Sequence, residues 1–233
     1  MIMVTQQERY IDAVYADDGK RKMLEYVEEK LRPVDKLSKS GRVYPFRSRF
    51  GHTIRVIEWA LRIQAVEKGD AEIITVAGIF HDVGYVEGGA GHAKASECMF
   101  LEYVAGQEQT QENAQMWHQP EHVQWRRAVA ETIRTHSNKD WDNSLLTTEQ
   151  QILMDADLLD EAGAMSVLWS CFAAAGRETF NFESTFEEIQ QVFEKLQKDA
   201  TLFHTECGRA LNRQMQAGVG EFARVLKYEL NLK

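Results

Sequence analysis

Cysteine is scarce in this chain of 233 residues: only Cys98, Cys171 and Cys207 occur. An odd number at unrelated spacings excludes a disulfide framework, and no CxxC pair offers a structural zinc site. Proline is equally scarce, at Pro33, Pro45 and Pro120, which leaves long segments free to be helical. Positive charge is in deficit. With 27 Lys+Arg against 36 Asp+Glu the formal net charge is −9, so a surface that coats nucleic acid is excluded. A small phosphorylated substrate is not, because it needs only local positive charge. The longest nearly apolar run, about Met165 to Ala175, falls short of the roughly 20 residues that span a bilayer. The opening MIMVTQQERY reaches polar residues too soon for a signal peptide. These absences lead us to expect a reduced, cytoplasmic protein with no membrane partner, and they do not specify an oligomeric state.

What is present is helical periodicity. From His52 to Lys68, Val56, Trp59, Ala60 and Ile63 recur at steps of three, one and three, the spacing of one helix face. Asp70 is placed to cap a helix carrying Ile73, Ile74, Ala77, Phe80 and His81, which should stop near Gly84. The same spacing predicts helices over roughly 5–16, 18–32, 92–105, 120–137, 148–175, 185–216 and 219–230. The segments Pro33 to Gly51 and Gly106 to Gln119 are expected to be loops. Strand-like alternation is scarce. The expected architecture is one all-α domain over 1–233, with N-terminal helices 5–32 and C-terminal helices 185–230 packed on a core of about 50–175.

The chemistry-bearing residues are His52, His81, Asp82 and Asp157. Consecutive residues within a helix diverge by about 100°. His81 and Asp82 can therefore aim at one ion only at a helix end. If their helix packs antiparallel to the one that His52 begins, His52 comes near that end. Asp157 lies in Met154-Asp155-Ala156-Asp157-Leu158-Leu159-Asp160, a carboxylate-dense stretch beside apolar residues, where an Asp needs a partner. Two imidazoles and two carboxylates suit a divalent ion such as Mn, Fe, Co, Ni or Mg. On the residues alone, plain structural roles stay open: core histidines, and Asp155 and Asp157 as helix caps.

The ordered series GHTIRVIEWA, IFHDVGY, GHAKASE, TIRTHS and MDADLLDEAGAM resembles the HD-domain superfamily of metal-dependent phosphohydrolases. It is most similar to the branch with a DADxLD segment followed by GA. The resemblance covers about residues 50–175, and the tail His204 to Ala210 is similar but less specific. It implies an all-α, HD-type helical bundle with His52, His81, Asp82 and Asp157 as metal ligands. Asp157 is preferred to Asp155 because the family's ligand stands in an Ala-Asp-x-Leu context. His92 and His136 match two further histidines. They are expected to hold a second ion, or to serve the substrate as phosphate donors or general acid, the plain alternative being histidines that steady loops. Lys94, Arg47, Arg49 and Arg55 are candidate phosphate partners, otherwise surface groups. Glu97 either assists water activation or pairs with Lys94. The connector Val83 to Gly91 is rich in glycine and permits close approach to a substrate, or is a plain linker. His118 and His122 are expected at the surface, and Asp160 and Glu161 either solvated or behind the ligands. The resemblance implies a phosphohydrolase that cleaves a phosphoester or phosphoanhydride, with a nucleotide as one candidate, using metal-activated water oriented by Asp82. A di-iron oxygenase on the same scaffold and a non-catalytic helical metal-binding or regulatory protein are the alternatives.

Overall fold

Helices form here where a capping side chain meets an apolar stripe. The computed structural model describes residues 9–38, 41–108, 119–138, 143–198 and 202–232. It contains α1 (Tyr10–Ala16), α2 (Asp18–Leu31), α3 (Arg49–Glu67), α4 (Ala71–Phe80), α5 (His92–Glu108), α6 (Pro120–Thr135), α7 (Thr148–Asp160), α8 (Gly163–Ala175), α9 (Phe182–Lys198) and α10 (Glu206–Glu229). The all-α expectation is borne out: among the described residues there is no strand, only one isolated bridge between Leu37 and Val43. The caps are those the residue types favour. Asp70 accepts from the Glu72 and Ile73 amides to start α4. Ser48 accepts from Gly51 for α3, and Thr147 and Gln150 form a reciprocal capping box on α7.

α4 is the central rod. Every residue from Ile74 to Phe80 is buried, as expected of a helix without a polar face. α3 packs against both α4 and α7, while α5 pairs with α6. Val56, Ile57, Ile63, Ile133, Leu153 and Leu159 close the core around it. α9 and α10 pack on each other and on α8.

Three expectations need correction. The segment 148–175 is two helices, not one. The chain turns at Glu161–Ala162, Gly163 takes φ 59°, and α7 and α8 meet at a 48° bend. A side chain at Gly163 would press on Met215 of α10, so the turn lets α8 seat against the C-terminal helix. The expected helices 185–216 and 219–230 are divided differently. α9 ends at Lys198 and α10 runs unbroken past residue 218; Thr205 caps its start by accepting from the Gly208 amide. Finally, α4 stops at Phe80, four residues before Gly84. No single helix among the described residues is long and apolar enough to cross a membrane. His118 lies outside the described residues, as do positions 5–8 of the expected first helix.

Gly84 has another role. It sits in a short 3-10 turn, Val83–Glu87, and its amide donates to Ser96 Oγ at 2.8 Å. A Cβ there would overlap the His92 carbonyl oxygen and the Ser96 nitrogen. Both obstacles are backbone on α5, so neither can swing aside. Gly84→Ala should therefore destabilise the fold by about 1–3 kcal/mol, the cost of overpacking, read as a lower denaturation midpoint at unchanged m-value.

Candidate metal centre

The chemistry-bearing side chains gather at one end of the bundle. α3 and α5 begin there, carrying His52 and His92, and α4, α6 and α7 end there. His81 and His136 are the C-cap residues of α4 and α6. Asp82 follows His81 with the chain already out of the helix, at φ −109° and ψ 2°. This is the helix-end placement that brings neighbouring residues to one point.

Asp82 is the hub. Its carboxylate oxygens lie 3.6 Å from His52 Nε2, 3.7 Å from His81 Nε2, 3.4 Å from His92 Nε2 and 3.6 Å from His136 Nε2. Asp157 Oδ1 is 3.2 Å from His52 Nε2. The histidines meet in pairs through their Nε2 atoms, His52 to His81 at 3.3 Å and His92 to His136 at 3.2 Å. Two groups, His52–His81–Asp82 and Asp82–His92–His136, have donor atoms close enough to hold an ion.

The other ring nitrogen of each histidine is occupied. His81 Nδ1 donates to Gly78 O at 2.8 Å, His92 Nδ1 to Gly89 O at 3.2 Å and His136 Nδ1 to Ile133 O at 2.6 Å. His52 Nδ1 lies 2.7 Å from Asp160 Oδ2. A carbonyl only accepts, so Nδ1 carries the proton and Nε2 of the neutral ring presents a lone pair. Lone pairs facing each other across little more than 3 Å repel unless a positive charge lies between them. The donor set therefore fits a divalent cation, nitrogen and carboxylate together.

The electrostatics agree. Burial pulls the His52 imidazole down, but Asp157 and Asp160 outweigh it and raise its pKa to about 10. Burial pushes the Asp82 carboxyl up, yet His81, His136 and His52 hold it well below the usual range. His136 is also raised, because Asp82 overcomes its burial, whereas burial dominates at His81 and lowers it. The pocket thus demands positive charge, and an ion would take the place of the proton at His52.

Asp155 turns to the other side of α7. Its carboxylate accepts from His204 N at 2.7 Å, Thr205 N at 2.8 Å and Thr205 Oγ1 at 2.7 Å. Burial nonetheless pushes it up to about 6. Two residues on a helix diverge by about 200°, which is why Asp155 anchors α10 while Asp157 faces His52.

The candidate phosphate partners divide. Arg47 lies over the Trp169 ring at 5.5 Å and lines a cleft of about 120 Å3 that reaches His52, together with Phe46, Arg55 and Phe172. Arg55 lines that cleft but is committed to Asp160, through Nε at 2.6 Å and Nη2 at 2.9 Å. Arg49 is a correction: its side chain is 2% exposed and donates to the Val34 and Leu37 carbonyls. It is buried because Ser48 caps α3 and turns residue 49 inward. Lys94 is exposed and pairs with the buried Glu97 at 2.7 Å. His122 is half-buried beside Trp125 and Glu121.

Of the two places expected for Asp160, solvated or behind the ligands, the structure has the second, while Tyr85 was not singled out by sequence. Asp160 fixes His52 from behind, and its signal was there: it stands three residues after Asp157, on the same helix face. Tyr85, stacked on His92 at 4.2 Å, carried no signal beyond its closeness to His81-Asp82.

Residues 49–162 match the family model of the HD domain. No curated protein sequence matches the chain. Among solved structures, a predicted HD superfamily hydrolase from an uncultured Thermotogales bacterium is similar at 22% identity and TM-score 0.58, covering 90% of this chain and 92% of that one. A Lactobacillus plantarum protein is similar at 22% identity and TM-score 0.56, with 91% and 96% covered. Bacillus subtilis YpgQ, solved in complex with ADP, is similar at 16% identity and TM-score 0.58, with 90% and 96% covered. These likenesses show a shared fold, and with the family match across the histidine–aspartate centre, residues 49–162 form an HD domain.

Proposed function

We propose that this protein is a divalent-metal-dependent hydrolase of a small phosphoester or phosphoanhydride, with His52, His81, Asp82 and Asp157 holding the ion. The observation that carries it is the convergence of four imidazole Nε2 atoms on the Asp82 carboxylate, each ring fixed through Nδ1. An ion held there makes water acidic enough to supply a nucleophile near neutral pH and offsets the charge of a phosphate.

The chain's own residues do the rest. Asp82, within 4 Å of every Nε2, accepts a hydrogen bond from the attacking water and orients it. His92 and His136, which meet Oδ1 of Asp82 while His52 meets Oδ2, donate to a phosphate oxygen or to the leaving group when the ring takes up a second proton, on Nε2. Arg47 at the cleft and Lys94 beyond His92 supply local positive charge to a molecule of net charge −9. Phe46, Trp169 and Phe172 line the cleft beside His52 and keep the non-phosphate part of the substrate out of water.

The test is a panel of nucleotides and sugar phosphates assayed with Mn, Fe, Co, Ni and Mg, following phosphate and pyrophosphate separately. ADP and related nucleotides come first, given the ligand of YpgQ. Metal-dependent release without oxygen uptake is the expected result. Stoichiometric oxygen consumption by the iron-loaded protein would move the assignment to redox chemistry.

A further inference from the structure

We propose that Tyr85 is a positioning residue for His92, clamped between the His92 imidazole and the buried guanidinium of Arg49. This rests on the hydrolase reading above only for its kinetic consequence. The Tyr85 and His92 rings stack with centroids 4.2 Å apart and planes 16° from parallel. The Arg49 guanidinium carbon lies 3.7 Å from the Tyr85 centroid, over the ring. Two groups so close to one ring cannot share a face, so they occupy opposite faces and form a three-layer stack.

Both outer layers need explaining, and the stack explains them together. Arg49 is buried with no carboxylate at ion-pair distance from its guanidinium among the described residues, Asp82 attracting it from farther off, and its Nη1 has no hydrogen-bond partner. A buried cation without an ion pair is costly. The Tyr85 face offsets part of that cost through cation–π attraction, and the Val34 and Leu37 carbonyls take two donors.

The other outer layer is His92. His81 and His136 sit at helix ends with Nδ1 tethers of 2.8 and 2.6 Å, whereas the His92 tether to Gly89 is 3.2 Å. His92 also opens its helix just after Gly88 and Gly91, both at positive φ. The Nδ1 bond to Gly89 and the Nε2 contacts to His136 and Asp82 all engage the edge of the ring, whereas its face is met by Tyr85. A π-face pressed on the imidazole fixes its plane, and so the direction in which Nε2 meets Asp82 and His136. The guanidinium behind Tyr85 fixes the tyrosine in turn.

The metal-free protein, labelled on histidine, tests the geometry by NMR without any substrate. The His92 ring protons should lie upfield of those of His81 and His136, shifted by the tyrosine face. Tyr85→Phe should keep that shift, and Tyr85→Leu should lose it. With a working substrate, Tyr85→Leu should lower kcat on the order of 10²-fold, the scale of an approximately 1 Å misplacement. KM and retention of the first metal equivalent should not change, and Tyr85→Phe should stay near wild type. If Tyr85→Leu does not fold, Arg49→Lys, which keeps the charge but not the flat face, replaces it with a smaller fall in kcat. An unshifted His92 in the wild type would overturn the stack whatever the enzyme does. A folded Tyr85→Leu with full kcat would overturn its role in positioning. Absence of any hydrolysis would count against the function alone, leaving the NMR result to stand.

Discussion

Asp82→Ala should abolish both tight metal binding and hydrolysis while leaving the helix content unchanged. Asp82 lies within 4 Å of the Nε2 atoms of His52, His81, His92 and His136, so its loss removes the anion around which both donor groups are built. Helicity should survive because α4 is held by Ile74 to Phe80, not by the residue after its cap. Any ligand that binds only the folded state stabilises it, by about 2.7 kcal/mol at 100 times its Kd. The wild type should show that gain with the preferred ion in thermal or urea denaturation, and Asp82→Ala should show none. Full turnover by a folded, metal-free Asp82→Ala protein would remove the centre from the mechanism. The neighbouring aspartates separate by the same measurements. Asp157→Asn should release metal readily. Asp155→Asn should keep it and instead lose about 1–3 kcal/mol of stability, because an amide would face the His204 and Thr205 donors.

The second large effect is expected at the other pair. His92→Gln and His136→Gln should each lower kcat on the order of 10²–10⁴-fold, the range for loss of a general acid or base, while the ion at His52, His81, Asp82 and Asp157 stays bound. Their Nε2 atoms lie 3.2 Å apart and both face Asp82, so neither can be lost without leaving the other unmatched. If the pair instead holds a second ion, titration of the wild type should reveal a second, weaker equivalent that both variants lack. Turnover and stoichiometry like the wild type in both variants would assign these histidines to structure alone.

Much of this was legible in the sequence because it is local. Asp70 announces α4 by residue type, and the steps between Val56 and Ile63 announce the inner face of α3. The His81-Asp82 pair is informative only because a helix ends there, and that end was placed four residues late. Gly84 resembles a helix terminator, but its missing side chain serves contact with α5, a fact no local pattern carries. The choice between Asp155 and Asp157 rested on resemblance; its physical basis, the hydrogen bonds from His204 and Thr205, spans about 50 residues of chain. Arg49 was misplaced for a related reason. Basic residues near a phosphate site look alike in sequence, and only the cap at Ser48 decides that residue 49 points inward while Arg47 remains at the cleft. Arg55 reaches Asp160 across 105 positions, a separation over which spacing carries no information.

His81 and His136 each terminate a helix and bond back to a carbonyl three residues earlier, one of the acceptors that a helix end leaves open. Their orientation is therefore set by the same backbone that makes the helix, before any ion arrives. Such a centre is preorganised: capture of an ion need not order the side chains, and the entropy that flexible ligands would lose is already spent in folding. Exchange of one divalent ion for another should then be limited by desolvation of the ion and its passage through the cleft, and chelation should empty the site without unfolding the bundle.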